Sequence, residues 1–97
     1  MSIFYRLSGE AEEDFIAIYR YGFENYGQDQ AERYAQRLRQ CFLFLANHPR
    51  AARLRVELTP PVRAHPMGAH LIVYDVDEED AITILRISHS RSDWATD

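Results

Sequence analysis

Two β-prone runs late in the chain, separated by a short acidic break, constrain the fold more than any other stretch. Leu71-Ile72-Val73-Tyr74-Asp75-Val76 and Ala81-Ile82-Thr83-Ile84-Leu85-Arg86-Ile87 are rich in β-branched and aromatic residues, which suit a pleated, half-buried surface. The break between them, Asp77-Glu78-Glu79-Asp80, is polar and four residues long, so the pattern predicts a β-hairpin. Neither run alternates cleanly. Apolar side chains on both faces place such strands in the middle of a sheet, with something packed on at least one side. The second run changes character at Arg86, and His89, Arg91, Asp93 and Trp94 follow closely. The working surface is expected where this strand leaves the sheet.

A sheet with a buried face needs a cover, and the earlier part of the chain supplies it. Ile3-Phe4-Tyr5-Arg6-Leu7 reads as a first strand. Ser8 follows, with Glu10, Glu12, Glu13 and Asp14 behind it. A serine hydroxyl accepts a free backbone N–H, and carboxylates meet the positive end of the helix dipole, so a helix starts here. Its apolar face is Ala11, Phe15, Ile18, Tyr19 and Gly22. The acidic cluster is read as a solvated first turn and not as a metal site. Gly22 and Gly27 loosen the end of this helix, and Gly27 is a natural left-handed stop.

The second helix is the clearest periodic signal. Asp29-Gln30-Ala31-Glu32 resembles a capping box with aspartate in the cap position. Apolar residues follow at Ala31, Tyr34, Ala35, Leu38, Cys41, Phe42 and Leu45, while Arg33, Arg37, Arg39 and Gln40 fall on the other side. Leu43 and Phe44 widen the apolar face, which suggests two packing neighbours. His48-Pro49 ends the helix, because proline disfavours helical geometry in the residue before it. The two helices are expected to form an antiparallel hairpin. Arg50 to Pro61 connects them to a short strand, Val62-Arg63-Ala64-His65, and Pro66 and Gly68 mark that strand as an edge or a turn. The expected fold is α+β in the order β-α-α-β-β-β, a helical hairpin packed on a small, mostly antiparallel sheet.

Length and composition narrow the functional classes. A chain of 97 residues forms one domain spanning 1–97, and 46% hydrophobic content supplies a core. The net charge is −4, and all eleven basic residues are arginine. An acidic domain is a poor candidate for sequence-blind nucleic-acid binding, which depends on neutralising phosphates. Arginine without lysine suits planar, two-pronged contacts to carboxylates, and it fits a GC-rich genome equally well. With Cys41 as the single cysteine, neither an intrachain disulfide nor a cysteine-cluster zinc site can form. Cys41 lies inside the apolar stripe and reads as a small buried hydrophobe. No signal segment or membrane-length apolar run is present, so a reducing cytoplasm is the expected compartment.

The sequence contains no phosphate-binding glycine loop, no metal-ligand spacing and no nucleophile motif, and no cofactor is expected. Groups able to move protons are His65, His70, His89 and Tyr74, together with Arg63, Arg86 and Asp93. Arg86 interrupts an apolar strand and needs a partner or solvent; Asp75, on the adjacent strand of the hairpin, is the candidate partner. A structural ion pair and a place on a binding surface are both open readings of Arg86. Trp94 is read as a clamp for the C-terminal tail or an anchor at an interface.

Several of these segments together resemble the ParE/RelE toxin superfamily: Tyr5-Arg6-Leu7-Ser8 before an acidic helix start, Tyr26-Gly27 before the second helix, the helix-ending His48-Pro49, and His70-Leu71-Ile72-Val73-Tyr74. The most specific is Ile84-Leu85-Arg86-Ile87-Ser88-His89-Ser90-Arg91-Ser92-Asp93-Trp94, similar to the family's strand ending in arginine, histidine, arginine and aspartate. One departure is Pro61-Val62-Arg63, where the family often has a glycine before the hydrophobic residue and arginine. The RelE-like branch cleaves messenger RNA on the ribosome and relies on lysine and arginine to stabilise the phosphate transition state. This lysine-free, acidic chain is more similar to the ParE-like branch, whose members poison DNA gyrase and are neutralised by a ParD-type antitoxin.

The resemblance therefore implies a toxin that acts by binding and not by catalysis. A RelE-like endonuclease and a non-toxic ParE-fold binding partner are the alternatives. Arg33, Arg37, Arg53, Arg55, Arg63, Arg86, His89, Arg91 and Trp94 are the candidate contacts to antitoxin or target. The Val62–His65 strand is the candidate edge for pairing with the antitoxin.

Overall fold

The structure is a computed structural model that describes residues 5–90. Its elements are β1 (Tyr5–Leu7), α1 (Gly9–Tyr26), α2 (Gln28–Asn47), β2 (Leu54–Arg55), β3 (Val62–Met67), β4 (His70–Val76) and β5 (Ile82–His89). The strands form one sheet in the order β1-β5-β4-β3-β2. Only β1 runs parallel to its neighbour, β5; the other pairings are antiparallel. The architecture is the expected α+β arrangement of a helical hairpin on a mostly antiparallel sheet.

Burial explains why the two β-prone runs fail to alternate. Ile72 and Tyr74 of β4 and Ile82, Ile84 and Ile87 of β5 pack with Ala11, Leu38, Cys41, Phe42 and Leu45 of the helices. Val73, between Ile72 and Tyr74, joins Val62 and Ala64 in a second cluster, covered by Leu58 of the connecting stretch and by Leu85. Successive side chains point to opposite faces of a strand, so β4 serves both clusters. In β5 the register slips by one residue. Val73 pairs with Arg86 and Tyr74 with Ile84, leaving Leu85 as the extra residue of a bulge. The bulge resets the alternation, so that Ile87 returns to the cluster that holds Ile82 and Ile84.

Both helix starts have local causes. Ser8 caps α1: its hydroxyl accepts the Ala11 N–H at 3.0 Å and donates to the Leu85 carbonyl at 2.8 Å. One side chain thus starts the helix and fixes it to the bulge. The second start differs from the sequence expectation. Gly27, not Asp29, is the N-cap of α2, no side chain caps that end, and Gly27 is also the C-cap of α1. A single residue at φ 90° makes the whole turn, a conformation that glycine adopts without a Cβ penalty. The hairpin closes tightly beside it, where a Cβ on Gly22 would stand 3.5 Å from that of Ala31. The Tyr19 hydroxyl also donates to the Glu32 carboxylate across the hairpin.

The rest of the chain departs from expectation in three places. The first is the Val62–His65 strand, which continues through Pro66 to Met67 and is not the outermost. The two-residue β2 covers Arg63 and Val62. Second, Leu43 and Phe44 meet no second packing neighbour of the kind the widened face suggested. Leu43 is exposed, and Phe44 lies against the rings of His48 and His65. Third, Tyr74 is fully buried and cannot act as a surface acid or base. Its hydroxyl donates to the Pro49 carbonyl at 2.8 Å and accepts the Ala52 N–H at 3.3 Å, holding the segment after α2 against the core.

Candidate functional site

An open groove of about 690 Å³ lies between the helical hairpin and one corner of the sheet. Phe15, Ile18 and Tyr19 of α1 and Ala31, Tyr34 and Leu38 of α2 give it apolar walls, and His70 and His89 close one end. Those two histidines come together because β4 begins where β5 ends: His70 and His89 are partners in the antiparallel register, with ring centroids 5.6 Å apart.

Tyr34 reaches this pair from the helix layer. Its hydroxyl lies 2.6 Å from His70 Nδ1, and the two rings are tilted against each other at 5.5 Å. Gly68 makes the approach possible. It turns the β3–β4 connection at φ 59°, and a Cβ there would lie 2.9 Å from the Tyr34 oxygen. Burial raises the Tyr34 pKa, against a smaller lowering by the Ala69 backbone and Arg37. Burial also lowers the His70 pKa, and neighbouring His89 lowers it further, while Asp14 acts the other way. His70 is therefore held in its neutral form near neutral pH, with a hydrogen-bond partner already supplied on one nitrogen.

Arg86 has a partner, but it is not Asp75. The hairpin register sets Asp75 opposite Thr83, and beyond the bulge Arg86 stands opposite Val73. Arg86 instead donates to Asp14 of α1, from Nε at 2.8 Å and from an Nη at 3.3 Å. Asp14 also accepts the Ile87 backbone N–H at 2.9 Å. The carboxylate thus joins α1 to β5 just past the end of β1, and its hydrogen bond and charge raise the Arg86 pKa. Arg86 is half-exposed while Asp14 is largely covered, so the pair is both a structural tie and part of the surface.

The remaining candidate arginines form two groups. Arg33 and Arg37 are exposed on α2, with the Arg37 guanidinium 5.5 Å from the centre of the Tyr34 ring. Arg53, Arg55 and Arg63 cluster at the β2–β3 ribbon, where Leu54 pairs with Arg63 and Arg55 with Val62. There Arg53 pairs with Glu57, and Arg63 donates to the Ala52 carbonyl at 2.6 Å. Arg63 is partly committed to the fold; Arg37, over the ring of Tyr34, stands beside the groove. Arg91, Asp93 and Trp94 lie outside the described residues.

Tyr34, Gly68 and Asp14 were not among the sequence candidates. Tyr34 belongs to a regular apolar stripe, and nothing local marks its hydroxyl as a partner for a histidine thirty-six positions away. Chemically, the site offers apolar walls, ring N–H groups and guanidinium groups, a combination suited to recognition. Among the described residues no group of three or more His, Cys, Asp and Glu side chains is placed to hold a metal ion. Cys41 is buried, which raises its thiol pKa and keeps it from being a nucleophile. No helix among the described residues is long and apolar enough to cross a membrane.

Comparison with known proteins places this geometry in a family. "Toxin ParE1" of Mycobacterium tuberculosis is 33% identical over 93 residues, covering 96% of this chain and 95% of the relative. "Toxin ParE1" of Caulobacter vibrioides is 31% identical over 85 residues, covering 88% of this chain and 86% of that protein. A solved chain of the chromosomal ParDE toxin–antitoxin system of P. aeruginosa shares the fold. Its TM-score is 0.73 at 23% identity, and the match covers 91% of this chain and 98% of that one. The family model for the ParE toxin of the type II toxin–antitoxin system parDE matches residues 5–94, and the chain belongs to that family.

Proposed function

We propose that this protein is a gyrase-directed toxin held inactive by a ParD-type antitoxin, acting by binding and not by catalysis. The observation that carries the reading is the near-full-length match to the ParE toxin family. The groove supports it. Tyr21 and Tyr26 are about 60% exposed on the groove wall, and the exposed Arg37 lies over Tyr34, another residue of that wall. Such an aromatic and arginine surface suits the apolar face of an amphipathic helix flanked by acidic side chains. An extended antitoxin segment fits the outer side of β3 beyond Arg63, where β2 no longer pairs with it.

Induced expression is expected to arrest growth and trigger DNA-damage signalling, with reduced supercoiling by purified gyrase. Normal supercoiling together with rapid loss of translated messages would overturn the reading in favour of a RelE-like endonuclease. Antitoxin binding without any growth defect would assign a partner role alone. In the complex with the neighbour-encoded antitoxin, Arg63→Ala is expected to weaken binding more at low salt than at high salt. Unchanged affinity at both would remove the β2–β3 arginines from the interface.

A further inference from the structure

We propose that Phe44 anchors one large apolar side chain of an extended protein segment, and that this segment adds to the free edge of β3. The proposal rests on the reading of that edge as the place where the antitoxin's extended part docks. It adds the ring that reads the segment and the class of side chain that the ring selects.

Phe44 is 45% exposed, although it stands in the last turn of α2 between the buried Phe42 and Leu45. Its ring lies between two imidazoles, with centroids 5.0 Å from that of His48 and 5.7 Å from that of His65. His48 is the C-cap of α2, and His65 belongs to β3. Alternation along β3 puts Met67 on the same face as His65, and Met67 packs against the main core. The three rings therefore form a shelf on the helix side of the sheet. Covering the open part of the phenylalanine ring would remove apolar surface from water.

The strand edge beside the shelf decides what reaches it. β2 pairs only with Val62 and Arg63, while β3 runs on to Met67. Among the described residues, the outer side of His65, Pro66 and Met67 has no strand partner. Pro66 has no N–H to give, and a proline in an edge strand turns its nitrogen outward. Ala64, two residues away, turns its backbone to the same side, so an added strand bonds to Ala64 and to the Pro66 carbonyl. The residue opposite His65 then points to the helix face, about 5 Å from His65, and reaches the Phe44 ring. Its two neighbours point to the other face. The shelf thus selects a single side chain, and a large apolar one covers the ring best. Toward β2 the segment approaches Arg63, which donates to the Ala52 carbonyl and has no carboxylate partner among the described residues. That end of the segment favours an acid.

The complex of the whole protein with the neighbour-encoded antitoxin tests the anchor. Phe44→Ala is expected to weaken binding roughly tenfold to a hundredfold, and Phe44→Leu less, because leucine stays apolar. NMR of the unsubstituted complex tests the same contact whatever the variants do to folding. The Phe44 ring protons should show nuclear Overhauser effects to one large apolar side chain of the antitoxin, and the Ala64 amide to the backbone beside it. Absence of a complex, unchanged affinity of Phe44→Ala, or a Phe44 ring left open or covered by a helix would overturn the proposal. Gyrase supercoiling is measured separately with the free toxin. Inhibition of gyrase together with an unaffected Phe44→Ala complex removes the anchor alone. Normal supercoiling together with a weakened Phe44→Ala complex removes the gyrase reading and leaves the anchor standing.

Discussion

Single side chains in this protein hold together segments far apart in sequence. Tyr74 has no exposed surface, yet its hydroxyl satisfies both the Pro49 carbonyl and the Ala52 N–H. Tyr74→Phe keeps the ring and leaves those backbone groups without their partner. The expected loss is about 1–3 kcal/mol in urea unfolding, and a loss close to zero would show that water replaces the hydroxyl. His70 makes stability depend on pH. Its folded-state pKa lies below the ordinary value of 6.5, chiefly through burial. The unfolded chain therefore binds the proton more readily. The contribution of neutral His70 is complete above about pH 6.5 and is lost as the pH falls through the folded value. Unfolding measured across this range should show stability falling with acid, and His70→Gln should flatten that slope. An unchanged slope would place the titrating group elsewhere.

The helical hairpin rests on one well-defined stripe. Leu38 is 1% exposed and Phe42 1% exposed, both in the main core. Leu38→Ala is expected to cost about 2–5 kcal/mol by the transfer and cavity terms together, and chemical denaturation measures it. At the β3–β4 turn, Gly68→Ala combines a positive φ with a contact on the Tyr34 hydroxyl. It should cost more than the ~1 kcal/mol that Gly→Ala gains at a compatible site, and Tyr34→Phe in the same chain should recover part of the loss. These elements also show what the sequence makes legible. The stripe of α2 was readable because helical periodicity acts within a few residues. The central hairpin was readable because both faces of β4 are buried. The two-residue β2 carries no period to read. The Arg86–Asp14 tie was hidden because the hairpin register sets Asp75 opposite Thr83 and not opposite Arg86, and because the true partner is 72 positions back. Of the site, the sequence marked His70, His89 and the arginines by residue type; it could not pair Tyr34 with His70 across the helix–sheet boundary.

At the scale of the whole molecule, the sheet closes the chain on itself. β1 pairs with β5, aligning Tyr5 with Ile82, and the Ser8 cap of α1 is anchored on Leu85. Both helices lie between these partners in sequence. Such non-local pairing must meet the entropy of closing a long loop before its contacts contribute. Synthesis proceeds from the N-terminus, so the first strand emerges long before the strand that completes it. A nascent chain arrested before Ile82 has an unpaired β1 and an α1 whose cap lacks its anchor. It should be cleaved by added protease as readily as an unfolded control, while a chain with His89 clear of the ribosome should resist. Resistance of the shorter chain would mean that the helices and first strand fold without the last one. If the arrest experiment behaves as expected, the ParE fold arises in one late step of translation, with no folded fragment preceding it.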